Sequence, residues 1–234
     1  MRIYNKEFNT YPICVHFNGG KIKRTQQWQD FLLSYKENIV IKPKELAIVT
    51  FNNKVEKGIL QNLLELNGAE YYNVASIQRG FCWLDKIIFL NKNIDSIKEE
   101  FVVVLDCFDV SVQGNMGLII DRFSNNEIIF SAELGSQKRV LKKLGGDTFG
   151  IFEYEKSKAE SKYRHLNAGM LFGKRGAVKD LLKVALDIHE TTKIDDDQIL
   201  YRLARMKLGF PLDYKCEIFK NMAHVDFTND IIIE

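Results

Sequence analysis

An α/β sandwich built on a mostly parallel sheet is the architecture this chain points to, and three features carry that reading. Short apolar runs bounded by turn residues alternate along the chain with longer stretches whose apolar residues recur at helical spacing. The strongest run, "FVVVLD" at 101–106, is continuously apolar until its last residue, the mark of a buried strand. With 46% hydrophobic and 27% charged residues over 234 positions, the chain can fill a sizeable core without metals or disulfides. No Pro/Ser-rich linker, internal repeat or low-complexity run divides it, so residues 1–234 are expected to form one domain.

The elements follow in order. Residues 11–16 read as a short opening strand running into Asn18-Gly19-Gly20. "RTQQWQDFLLSYKEN" sets Trp28, Phe31, Leu32 and Tyr35 at helical spacing, and "ELAIVTF" (45–51) is a buried strand. An amphipathic helix over 57–70 stops at Gly68, and "YYNVAS" is a second strand. A helix over 84–100 then feeds the strand at 101–106. "GLIIDRFSNN" reads as a helix, 127–133 as a strand, and "GSQKRVLKKLG" as a basic helix or loop. The strand at 166–175 precedes two helices, "AVKDLLKVALDIHE" and "DDDQILYRLARMKL", before closing strands "CEIF" and "DIIIE".

Bulk properties exclude several classes. A net charge of +2 gives little electrostatic reason to bind nucleic acid or anionic lipid. Cys14, Cys82, Cys107 and Cys216 are scattered with no CxxC pair, which argues against a structural zinc site. The start lacks a basic, apolar leader, and no apolar run reaches membrane-spanning length, so a cytoplasmic protein with no membrane partner is expected.

Four clusters could carry chemistry. Asp106 and Asp109 end the strongest strand, where ligands of open α/β sheets bind, and carboxylates three residues apart can face one divalent cation. Strand-end aspartates also simply cap the following turn. Asp195, Asp196 and Asp197 open a helix, where acids suit the macrodipole, although three adjacent like charges also invite a cation or a hydroxyl-bearing ligand. Asn167, Ala168 and Gly169 at a strand start would let a ligand approach the backbone. His16 precedes a glycine turn whose N–H groups could hold phosphate oxygens, and imidazole plus two carboxylates suits Mn²⁺ or Mg²⁺ better than zinc.

Taken together, these stretches resemble the glycosyltransferase domain of the lysyl hydroxylases and its microbial and viral relatives. "LDCFDV" resembles that family's D-x-x-D metal motif, and "IIFSAE" resembles its next strand. "HLNAGMLFG" resembles its L-N-S-G strand, "DDDQILY" its acidic helix start, and "LDYKCEIFKN" the segment before its last strands. The matches run in order from about residue 46 to 234. The family's closing P-x-x-x-H-x-N-G is absent after "DIIIE" and is found instead at the start, as Pro12, His16, Asn18 and Gly19. The chain therefore looks circularly permuted, with residues 1–20 supplying a metal- and diphosphate-binding strand and turn.

That resemblance implies a GT-A type nucleotide-sugar fold, Rossmann-like, with a mixed, mostly parallel sheet flanked by helices. It implies Mn²⁺ (or Mg²⁺) held by Asp106, Asp109 and His16, and a UDP-sugar donor, with Asn18, Gly19, Lys86, Asn167 and Gly169 around the cofactor. Asp196 and Asp197 match the acidic pair beside sugar and acceptor, and are expected to be catalytic. The expected reaction moves a hexose, galactose or glucose, from the UDP-sugar to a hydroxyl of a protein, a glycan or a modified DNA base. The family's aromatic F-C-W-P run after Ser131-Ala132-Glu133 is replaced by "LGSQKR", and "GFCW" at 80–83 lies elsewhere in the chain. Competing readings are a nucleotidyltransferase, for which "IVTFNNKVEKG" offers weak loop chemistry, and a non-catalytic sugar-nucleotide-binding protein.

Overall fold

Successive side chains of the central strands point to opposite faces of one sheet, and both faces are buried, so the interior divides into two cores. In a computed structural model describing residues 3–18, 26–75, 82–123, 125–135, 144–147, 149–225 and 230–233, β3 (Leu46–Phe51) sends Ala47, Val49 and Phe51 to one core and Leu46 and Ile48 to the other. The same split runs through β5 (Phe101–Asp106), β7 (Ile128–Glu133) and β8 (His165–Lys174). With β4 (Tyr72–Asn73) and β9 (Leu212–Asp213) they form a six-stranded sheet ordered β4-β3-β5-β8-β7-β9. Only β8 runs against its neighbours, so the sheet is mostly parallel, as its alternation with helices predicts.

One face is covered by three helices, α3 (Trp83–Asn93), α6 (Arg175–Thr192) and α7 (Asp197–Leu208), whose Ile87, Leu181 and Leu200 sit in the first core. The other face receives α1 (Gln26–Ser34), α2 (Ile59–Leu66), α4 (Gly117–Phe123) and a second, three-stranded sheet. That sheet joins β10 (Phe219–Asn221), β2 (Cys14–His16) and β6 (Val110–Val112), with β2 parallel to β10 and antiparallel to β6. A separate antiparallel pair links β1 (Ile3–Asn5) to β11 (Ile231–Ile233), Ile3 facing Ile233. The short helix α5 (Ile151–Ser157) packs near α7. Among the described residues no helix is long and apolar enough to cross a membrane.

Several expected elements are shorter than their stretches suggest, among them the opening strand and the helix over 57–70, and two show why. The helix expected over 84–100 ends at Asn93, followed by a 3₁₀ turn at Ile94–Ser96. Tertiary packing wins there, because Ile94 and Ile97 are both drawn into the core. The strand expected at "CEIF" starts three residues later, at Phe219. The buried Asp213 carboxylate accepts the N–H groups of Glu217, Ile218 and Phe219, which bends that stretch into a turn. The basic stretch falls mostly at 136–143, outside the described residues, as do Met1, Gly19 and Glu234.

Candidate active site

Phe51 faces Asp106 across β3 and β5, so these two parallel strands end at one level. There the chain leaves β5 at Asp106, turns through Cys107 and Phe108, and passes Asp109 into β6 of the small sheet. β6 pairs with β2 at Val110 and His16, which hangs the imidazole beside the turn. His16 Nε2 lies 3.1 Å from Asp109 Oδ1 and 3.7 Å from Asp106 Oδ2. One donor atom from each residue lies within 4.8 Å of the other two. Adjacent ligands of an octahedral cation with bonds of about 2.1 Å sit about 3 Å apart, so one nitrogen and two carboxylate oxygens fit a divalent ion here.

The other imidazole nitrogen is fixed from behind. Nδ1 faces the side-chain oxygens of Asn167, at 3.2 Å, and Asn221, at 3.1 Å. Neither amide can turn round without loss, because their nitrogens donate to Glu133 and to the Ala132 carbonyl. Two acceptors keep a proton on Nδ1 and leave Nε2 aimed at the carboxylates. Burial opposes charge on the ring, but Asp109 and then Asp106 outweigh it, and the pKa of His16 is raised.

Gly169 makes this approach possible. A Cβ there would lie 2.3 Å from His16 Cε1 and 2.9 Å from Asp106 Oδ2, so the group admitted against the backbone is the His16 ring. A register shift between Phe130 and Ser131 places this point in a bulge, since β7 pairs Phe130 with Leu171 but Ser131 with Asn167. On the opposite flank a Cβ at Gly58 would meet the carbonyl oxygen and Sγ of Cys107 at 2.3 Å, so glycine lets the start of α2 press against the Asp106–Asp109 turn.

Lys86, from α3, reaches the same place. Its ammonium lies 2.5 Å from Asp106 Oδ1 and 3.2 Å from Asp197 Oδ2. Burial would lower its pKa, but Asp106 and Asp197 outweigh that and keep it raised, hence protonated. Burial raises Asp197, with Lys86 pulling the other way. The acidic run divides by position: Asp197 faces the cleft, Asp196 caps α7 by accepting the Ile199 N–H at 3.3 Å, and Asp195 is exposed.

Glu133, missed as a site residue although it ends a parallel strand as Asp106 does, is a hub only 2% exposed. It accepts from Asn18 at 3.1 Å, Asn167 at 2.9 Å and Gln198 at 3.0 Å, and lies 3.6 Å from Arg202. Burial raises its pKa against the pull of Arg202, Asn167 and Gln198. Asn18 is also engaged at its oxygen, which accepts the Ala223 N–H. Arg202 in turn pairs with Glu155, whose carboxylate holds His165, so a buried polar chain runs from the cleft to α5.

Two clefts meet at this centre. One, about 300 Å³, is polar and borders His16, Lys86, Glu133, Asn167, Asp197 and Gln198. The other, about 370 Å³, has Phe51, Cys107, Phe108 and Trp83 in its walls, with Lys54 4.3 Å over the Phe108 ring. Trp83, Lys86, Asp106 and Asp109 border both. Trp83, set aside on sequence because of its position, reaches the cleft because it opens the helix that carries Lys86. Asn221 and His224 were also missed; each follows from the end of β10 lying beside His16, a pairing no local pattern announces.

A mostly parallel α/β sheet flanked by helices, with carboxylates and an imidazole gathered where its strands end, is a GT-A-like fold. A family model described as the PLOD GT domain matches residues 68–233, and the chain belongs to that family. It is also 27% identical over 146 residues to an uncharacterized protein of Acanthamoeba polyphaga mimivirus. That match takes in 60% of this chain and 28% of the viral protein, so the chain spans little more than a quarter of that relative's length.

Proposed function

We propose that the protein is a metal-dependent glycosyltransferase that moves a hexose, galactose or glucose, from a UDP-sugar to a hydroxyl acceptor. The observation that carries this reading is the convergence of His16, Asp106 and Asp109 on one point between the two clefts. These three residues would hold Mn²⁺ or Mg²⁺. Such an ion, when bound, neutralises charge growing on the departing diphosphate. Lys86 adds a fixed positive charge at the same place, and Asn18 and Gly19 lie on the chain just beyond His16, where diphosphate oxygens would sit. The apolar cleft, with Phe108 and Phe51, suits the flat base of the nucleoside. The polar cleft suits a sugar, whose hydroxyls would meet Glu133, Asn167 and Gln198. Asp197, facing that cleft beside Lys86, is the better placed of the two acids to take the acceptor's proton.

The placement of β2 supports a permuted order for residues 1–20. They supply the inner strand of the small sheet, and β1 pairs with β11 at the opposite end of the chain. The test is a panel of UDP-sugars incubated with the protein, Mn²⁺ and no acceptor, with released UDP measured beside an EDTA control. Slow release from UDP-galactose or UDP-glucose, abolished by EDTA and by Asp109→Asn, is expected. UDP binding of equal strength with Mn²⁺ and with EDTA would sink the metal assignment and leave the aspartates as turn-formers.

A further inference from the structure

Helix α7 buries two arginines one turn apart, and their surroundings differ in a way that points to a second ligand site. Arg202 has counter-charges, with Glu133 3.6 Å and Glu155 3.4 Å away. Arg205 is 2% exposed, yet among the described residues no carboxylate pairs with it. Its Nε donates to the Phe210 carbonyl at 3.0 Å and Nη2 to the Tyr214 hydroxyl at 2.6 Å, while Nη1 is buried with no acceptor. An idle Nη1 alone would mean little, because Arg202 has one too. The distinguishing fact is a buried, permanently charged guanidinium met, among the described residues, only by neutral groups: the Phe210 carbonyl, the Tyr214 hydroxyl, and the faces of Tyr154 and Tyr214 at 5.3 and 6.0 Å.

Arg205 lines a cleft of about 430 Å³ that it shares with Lys158, Lys207, Tyr154, Tyr214 and Pro211. Three cations face this space, and the acid among its lining residues is the exposed Glu160. The carbonyl end of α7 contributes only about half a negative charge. The cleft is separate from the active site, lying roughly 12 Å further along the axis of α7 than Asp197. We infer that this cleft binds an oxyanion, phosphate or carboxylate, carried on a ring-bearing small molecule such as a sugar. The guanidinium edge and the two ammonium groups meet the anion, and the tyrosine and proline faces receive the ring. This does not depend on the glycosyl-transfer reading.

The test uses the whole chain in EDTA without donor. Binding of glucose 6-phosphate, glucuronate, inorganic phosphate and glucose is followed by calorimetry and by thermal shift at low salt. Glucose 6-phosphate or glucuronate should bind and raise the melting temperature, glucose should not, and bare phosphate should bind more weakly. Lys158→Ala/Lys207→Ala, both exposed positions, should fold normally and bind about tenfold less tightly or worse, the loss of one or more charge-assisted contacts. Arg205→Gln should abolish binding where it folds. Failure of every oxyanion to bind, or binding unchanged in the lysine double variant, overturns the proposal. Bare phosphate binding as tightly as the sugar ester overturns its ring-bearing half.

Discussion

The two sheets of this protein are built on opposite terms. The six-stranded sheet has four long strands made of apolar runs buried on both faces, such as Leu46–Phe51 and Ile128–Glu133. The small sheet has three strands of three residues each, taken from near residues 15, 111 and 220. The first supplies Asp106, Glu133 and Asn167; the second supplies His16 and Asn221; Asp109 stands where the chain crosses between them. The large sheet draws its stability from buried area, while the small one is a frame that brings an imidazole to a carboxylate pair. Damage to one should therefore register mainly as lost folding, and damage at the junction as lost chemistry.

The largest expected effect tests the scaffold. Phe172→Ala, near the end of β8 and stacked on Phe101 at 5.7 Å, should cost about 3–5 kcal/mol in urea unfolding. Mn²⁺ binding by the remaining folded fraction should be unchanged, and a loss of affinity without loss of stability would erase the division of labour. Next, Asp197→Asn should lower turnover about 10²-fold with donor affinity intact, whereas Asp196→Ala should cost about 1 kcal/mol of stability as a lost helix cap. The reverse pattern would hand the catalytic role to Asp196. Smallest, Gly169→Ala should push the His16 ring off its carboxylates and weaken Mn²⁺ binding about tenfold, measured by titration without donor. An alanine variant that binds as well as wild type would show that the junction yields more readily than its packing implies.

What could be read beforehand follows the same line. The large sheet was legible because period and apolarity are local properties: 101–106 and 127–133 appear as strands within a residue of their bounds. The placement of Asp106 and Asp109 beside a cleft was legible because clefts of open α/β sheets lie at strand ends. Asp196 shows the limit, since adjacent acids look alike in sequence and only the turn of the helix sends one to the cap and the next to the cleft. The small sheet was not legible as a sheet at all. Three-residue strands carry too little pattern, and its pairings depend on distant segments meeting. His16 was marked by the glycine turn that follows it, but its place beside Asp106 and Asp109 came through the resemblance. Glu133 was overlooked although the strand-end rule that picked out Asp106 applies to it equally.

The contact between His16 and Asn221 spans 205 positions, and Ile3 meets Ile233 across almost the whole chain. Closing such loops is entropically slow, and it offers little in return until the segments between them have condensed. Local βα units of the large sheet can assemble first, and β2 can slot between β6 and β10 only after both have been positioned. On that order Asp106 and Asp109 are expected to be in place early and the imidazole to arrive last. A cation that demanded all three ligands would report the final stage of folding, and the rate at which Mn²⁺ became tightly held after dilution from denaturant would then be a clock for the closure of the chain.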